Sequence, residues 1–146
     1  MSIRSAIERI ALSDARRLET RIAAMLRWIL KSCEHPETRA VLANLIAGEE
    51  EHLSHLDALN PTEHVAPETT DKSPDVRPNG DTVCDMLRDV LRRESAAVTF
   101  YELLAERTPV PPVKEVFSRI AAEEKEHVAQ LDAEIRRLCN SVDPSD

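Results

Sequence analysis

Apolar residues recur every three or four positions along four long stretches of this chain. Leu12, Ala15, Ile22, Leu26 and Ile29 form one stripe, and Val41, Leu45, Leu56 and Leu59 a second. Val83, Leu87, Val90, Ala97, Tyr101 and Leu104 form a third, and Val113, Phe117, Ile120, Leu131 and Leu138 a fourth. That period belongs to amphipathic helices with one face in a core. Helix breakers separate the stripes. The first pair turns near Cys33-Glu34-His35-Pro36 and the second at Thr108-Pro109-Val110-Pro111-Pro112, with proline just inside the returning helix, where its missing N–H costs nothing. Between the pairs lies a polar, proline-rich run, PTEHVAPETTDKSPDVRPNG. The pattern predicts an all-α fold: a four-helix bundle built from two helical hairpins, about 5–60 and 82–139, within one domain spanning 1–146. The run at about 61–81 reads as a long crossover linker. It reaches roughly 60 Å when extended, against about 35–40 Å for a helix of 25 residues.

Each stripe is interrupted where a core residue belongs. The intruders are Glu19 in the first helix, Glu49 and His52 in the second, Glu94 in the third, and Glu124 and His127 in the fourth. They obey an internal repeat. Sliding residues 19–58 onto 94–133 aligns Glu19 with Glu94, Pro36 with Pro111, Val41 with Val116, Glu49 with Glu124, His52 with His127, and Leu56-Asp57-Ala58 with Leu131-Asp132-Ala133. Glu-x-x-His therefore occurs twice at one offset, each copy preceded by a glutamate at a matching distance. Glu19 and Glu49 straddle the first turn symmetrically, so the rise of an α-helix brings them to one level. Glu94 and Glu124 do the same around the second turn. Glu50, Glu51, Lys125 and Glu126 fall off the stripes and face elsewhere.

Four carboxylates at one level of an apolar core repel one another, and each is costly to bury unpaired. No lysine or arginine lies on the stripes nearby. Two divalent ions would balance four carboxylates with both histidines neutral. Glu and His at i and i+3 share a helix face and can hold one ion together, and this is how helical bundles assemble dinuclear carboxylate sites. An oxygen-rich set with one imidazole per ion suits iron or manganese better than structural zinc. Tyr101, two turns beyond Glu94, is placed either to donate to a carboxylate ligand or to pack as a core aromatic. His55, His35 and His64 read as surface, turn and linker residues, and Trp28 as core or interface.

Charged residues make up 32% of the chain, hydrophobic residues 42%, and there are two glycines, which favours helices over sheet. The net charge of −8 disfavours nucleic acid and anionic membranes as partners. No apolar run approaches the roughly 20 residues of a membrane span, and the N-terminus shows no secretory signal. The three cysteines, Cys33, Cys84 and Cys139, are odd in number and widely spaced. They read as free thiols of a reducing, cytoplasmic compartment.

Glu94-x6-Tyr101 followed by Glu124-Lys125-Glu126-His127 resembles the rubrerythrin branch of the ferritin-like superfamily. The resemblance covers both hairpins and not the linker. It implies a ferritin-like four-helix bundle with a carboxylate-bridged di-iron centre, ligated by Glu19, Glu49, His52, Glu94, Glu124 and His127. It also implies non-haem oxidoreductase activity, as a peroxidase reducing hydrogen peroxide or a ferroxidase oxidising Fe(II) with dioxygen or peroxide in oxidative stress, or else iron storage. The chain departs from the pattern in places. Ala97 stands where peroxidase members carry an additional glutamate. No rubredoxin module with paired C-x-x-C motifs is present, so electrons must come from a separate donor protein. Glu50 occupies the place of the haem-binding methionine of bacterioferritins, so no haem is expected. Leu26 stands at the repeat position of Tyr101, so the halves are unequal. A homodimer is expected, because hairpin repeats with long linkers pair or swap readily. A metal-free helical interaction module is the reading from a different functional class.

Overall fold

The computed structural model describes residues 3–59 and 76–140. Four helices account for nearly all of them: α1 (Ile3–Ser32), α2 (Pro36–Leu59), α3 (Val83–Arg107) and α4 (Pro111–Cys139). The helix ends carry the chemistry expected of them. Pro36 is the first residue of α2, and Pro111 and Pro112 open α4. Thr82 caps α3, its hydroxyl accepting the Asp85 N–H at 3.0 Å. Gly80, just before this cap, has φ +122°, a conformation that side-chain-bearing residues rarely adopt. The buried Asp89 carboxylate accepts the Asn79 N–H at 2.9 Å and pairs with Arg92, fastening the approach to α3.

Contacts across the bundle fix the direction of every helix. Arg16, early in α1, pairs with Asp57 at the end of α2. Thr38, early in α2, donates to Glu134 late in α4. Arg77, before α3, lies over the Trp28 ring late in α1. The neighbouring pairs α1–α2, α3–α4, α1–α3 and α2–α4 are therefore all antiparallel, and the closest packing is within each hairpin. The expected crossover at about 61–81 falls mostly on residues 60–75, outside the described residues. Its described flanks lie at opposite ends of the bundle, as a crossover requires.

The inward face of each helix is largely apolar above and below one polar layer, with Thr38, Asp89 and Glu134 buried outside it. Ile22, Leu26 and Ile29 of α1, Leu42 and Leu45 of α2, Leu87 and Val90 of α3, and Ile120 and Leu131 of α4 are fully buried. Each contributes about 1.5–3 kcal/mol by leaving water. No helix among the described residues is long and apolar enough to cross a membrane.

The cysteines differ from the expectation of free thiols. Cys84 and Cys139 form a disulfide, with Cα atoms 5.9 Å apart, and only Cys33, which is buried, stays free. Antiparallel packing sets the first turn of α3 beside the last turn of α4, so residues remote in sequence become neighbours. The pairing also removes the cysteine argument for a reducing compartment.

Candidate metal centre

Four helices each deliver a carboxylate to the polar layer. Glu19 (α1), Glu49 (α2), Glu94 (α3) and Glu124 (α4) are 0% exposed, with His52 at 1% and His127 at 8%. All six residues singled out by the repeat thus converge. Glu50, Glu51, Lys125 and Glu126 face solvent, as the stripes imply.

The donor atoms form two overlapping four-residue clusters, each within 4.8 Å, and His52, Glu124 and His127 make a smaller third group. Of the two larger clusters, one comprises Glu19, Glu49, His52 and Glu124, and the other Glu49, Glu94, Glu124 and His127. Glu49 and Glu124 belong to both. The imidazoles of His52 and His127 stack across the centre, with centroids 5.4 Å apart. Both present Nδ1 to the carboxylates. His52 Nδ1 lies 3.1 Å from Glu19 Oε1 and 3.8 Å from Glu124 Oε1. His127 Nδ1 lies 2.8 Å from Glu49 Oε2, 2.9 Å from Glu124 Oε1 and 3.8 Å from Glu94 Oε2.

Two histidines do not satisfy four buried carboxylates. Both oxygens of Glu94, both of Glu124 and Oε1 of Glu49 are buried without a hydrogen-bond partner; His127 Nδ1 comes close to Glu124 Oε1 but makes its hydrogen bond with Glu49 Oε2. Buried acceptors are normally satisfied, so five orphans in one layer point to something that binds oxygen. The electrostatics agree. Burial, compounded by the neighbouring carboxylates, pushes Glu49 well above the usual carboxylate range. Burial and the charge of Glu124 do the same to Glu94. Glu124 is pushed up to about 8, first by burial and then by Glu19. Burial also works against the charged form of Glu19, but hydrogen bonds with His52, Glu49 and Tyr101 and the charge on His52 bring it below its ordinary value. Burial pulls His52 down, yet the surrounding carboxylates outweigh it and raise the imidazole to about 9. In His127 burial wins and the pKa falls.

Tyr101 reaches the layer. Its hydroxyl donates to Glu19 Oε2 at 2.8 Å, and the ring packs against Phe117. Glu123 is a residue that the stripes did not single out: its Oε1 accepts from His52 Nε2 at 2.8 Å, on the side of the ring away from the cluster. Its position beside Glu124 was the available signal, since a residue flanking a ligand can reach the facing helix. Gly48 is the other. A Cβ there would lie 2.6 Å from His127 Nε2, so the histidine ring occupies the space a side chain would need. His55 is half-buried and His35 exposed, both outside the clusters. His64 lies outside the described residues. Trp28 is half-buried beneath Arg77.

The donor set fits two divalent ions. Each cluster offers three carboxylates and one imidazole, the shared glutamates suit bridging positions, and two such ions would both neutralise the layer and occupy the orphaned oxygens.

Residues 85–145 match the family model described as Rubrerythrin. That stretch takes in α4 and all but the first two residues of α3, with Glu94, Glu124 and His127. No curated protein matches the chain in sequence. A solved structure from Anabaena variabilis ATCC 29413, a two-domain protein with DJ-1/ThiJ/PfpI-like and ferritin-like domains, superposes with a TM-score of 0.82 at 16% identity. The match covers 97% of this chain and 42% of that one, so the chain spans less than half of that protein's length.

Proposed function

We propose that this ferritin-like bundle, whose second hairpin matches rubrerythrin, is a di-iron oxidoreductase that oxidises Fe(II) at the expense of hydrogen peroxide or dioxygen. The observation that supports it best is the pair of clusters sharing Glu49 and Glu124, lined by buried carboxylate oxygens that accept no hydrogen bond. Glu19 and His52 would serve one ion and Glu94 and His127 the other, with Glu49 and Glu124 between them. Two ferrous ions bound there supply two electrons, enough to reduce one peroxide to the level of water. The residues do the rest. Four glutamates stay deprotonated when metal is bound and carry the compensating charge. Tyr101 O–H holds Glu19 in one orientation. Buried Ile22, Leu45, Val90, Ala97 and Ile120, on turns flanking the carboxylates, keep bulk water out. Ala97 also leaves α3 without a second carboxylate one turn beyond Glu94, which favours six ligands that stay in place. Sustained turnover requires fresh Fe(II) or a separate electron donor to restore the ferrous state.

The test is anaerobic loading with Fe(II) followed by rapid mixing with peroxide or dioxygen. Oxidation at least tenfold faster than free Fe(II), lost in Glu49→Ala and His127→Ala, is expected. A rate equal to free Fe(II), or one unchanged in those variants, overturns the proposal. Uptake of many irons per chain without accelerated oxidation would mark a storage protein instead.

A further inference from the structure

The two halves of the layer are related by the repeat, and they differ at two places where a side chain touches a ligand from behind. The first is Tyr101, whose hydroxyl donates to Glu19 at 2.8 Å. Its repeat counterpart is Leu26, which has no donor to offer Glu94, and neither Glu94 oxygen has a hydrogen-bond partner. The second is Glu123, which accepts from His52 Nε2 at 2.8 Å. Its counterpart is Gly48, packed directly against His127 Nε2. The described residues give that nitrogen no carboxylate. Both braces therefore serve Glu19 and His52, and both are missing from Glu94 and His127.

Outer partners fix the orientation of a ligand, an acceptor behind an imidazole also raises its basicity, and their loss typically costs about 10- to 100-fold in metal affinity. Two braced ligands against two unbraced ones is a built-in inequality between positions whose inner ligands are otherwise alike. We propose that the two metal positions are unequal: the Glu19–His52 position, braced by Tyr101 and Glu123, fills first and retains its ion, while the Glu94–His127 position exchanges its ion. This rests on the two-metal reading above. Glu123 and Tyr101 are then positioning residues, and Gly48 leaves the room that the His127 ring occupies. A larger residue at 48 would press on the ring.

The experiment is a calorimetric and optical titration of the chelated, full-length protein with cobalt(II), which needs no turnover. Wild type is expected to bind two ions in two steps separated by at least tenfold in affinity. Tyr101→Phe and Glu123→Ala weaken the first step by about 10- to 100-fold and draw the two together. Glu123→Gln, which keeps an acceptor, recovers part of the loss. Gly48→Ala weakens the second step and spares the first. With one equivalent of cobalt(II), proton NMR in water should show one hyperfine-shifted, exchangeable imidazole N–H, protected in wild type and Glu123→Gln and lost to solvent exchange in Glu123→Ala. Two indistinguishable steps in wild type, or a first step untouched by Tyr101→Phe and Glu123→Ala, overturn the inequality while leaving the dinuclear site standing. No cobalt binding at all overturns both readings. Circular dichroism identifies any variant that fails to fold, and the remaining brace variant then decides.

Discussion

Glu94 carries two buried oxygens and neither meets a donor. In the metal-free protein such a group is a liability, since a buried polar atom without a partner costs about 1–3 kcal/mol. Glu94→Leu should therefore stabilise the chelated protein by about that amount and destabilise the metal-loaded protein relative to loaded wild type. Urea denaturation with chelator and with cobalt(II) reads both signs, and a loss in both states would show that Glu94 is satisfied without metal. Glu94 and its five companions were readable from sequence because a charged residue on an apolar stripe, repeated at a fixed offset, has few innocent explanations. Glu123 was not. It lies off the stripe and acts through the opposite hairpin, and periodicity along one helix says nothing about what a flanking residue touches on another. Gly48 escaped for the same reason: its importance is the space it leaves, and space is not written in one strand of sequence.

The helices themselves were nearly all visible, from stripe to turn proline, because their stop and start signals are local. The covalent link between two of them was not. Cys84 and Cys139 are 55 residues apart and meet only because α3 and α4 run antiparallel with matched lengths. Knowing the hairpin geometry would have placed them together; counting cysteines did not. Closing a loop of this size restricts the unfolded chain, so Cys84→Ser with Cys139→Ser should lower stability by about 2–4 kcal/mol. Denaturation of the double variant against the oxidised wild type checks this, and addition of reductant to wild type should reproduce the loss. Unchanged stability would mean that the helix ends pack as well without the bond.

Across the molecule, the layer makes stability depend on pH in a sense opposite to ordinary acid denaturation. Glu124, raised from 4.5 to about 8, and His52, raised from 6.5 to about 9, bind protons more tightly folded than unfolded. Their contributions are complete below pH 4.5 and 6.5 respectively, and are lost as pH rises through 8 and 9. Glu49 and Glu94 shift the same way, whereas Glu19 and His127, both lowered, oppose them at the acid side. The chelated protein should therefore be most stable near pH 5 and lose stability toward pH 9, by about 1.4 kcal/mol per pH unit for each excess proton held. Metal demands deprotonated carboxylates and neutral imidazoles, so the loaded protein should gain stability over the same range. Thermal melts at several pH values, with and without chelator, test the reversal, and parallel curves would refute it.

Glu49 and Glu124 come from different hairpins, yet each belongs to both clusters. Neither hairpin can complete a cluster alone. The layer is consequently a clasp, and filling it and closing one hairpin on the other are a single equilibrium seen from two sides. Within each hairpin the helices are tied by a short turn, and in the second by a sulfur bridge as well. Between hairpins the middle of the empty seam is held by protons on the raised carboxyls and by the bonds of His52, His127 and Tyr101 to carboxylates of the opposite hairpin, in place of ions. Emptying the clasp should make the bundle breathe like a book along that spine, admitting water and small oxidants to the very groups that a bound ion would shield.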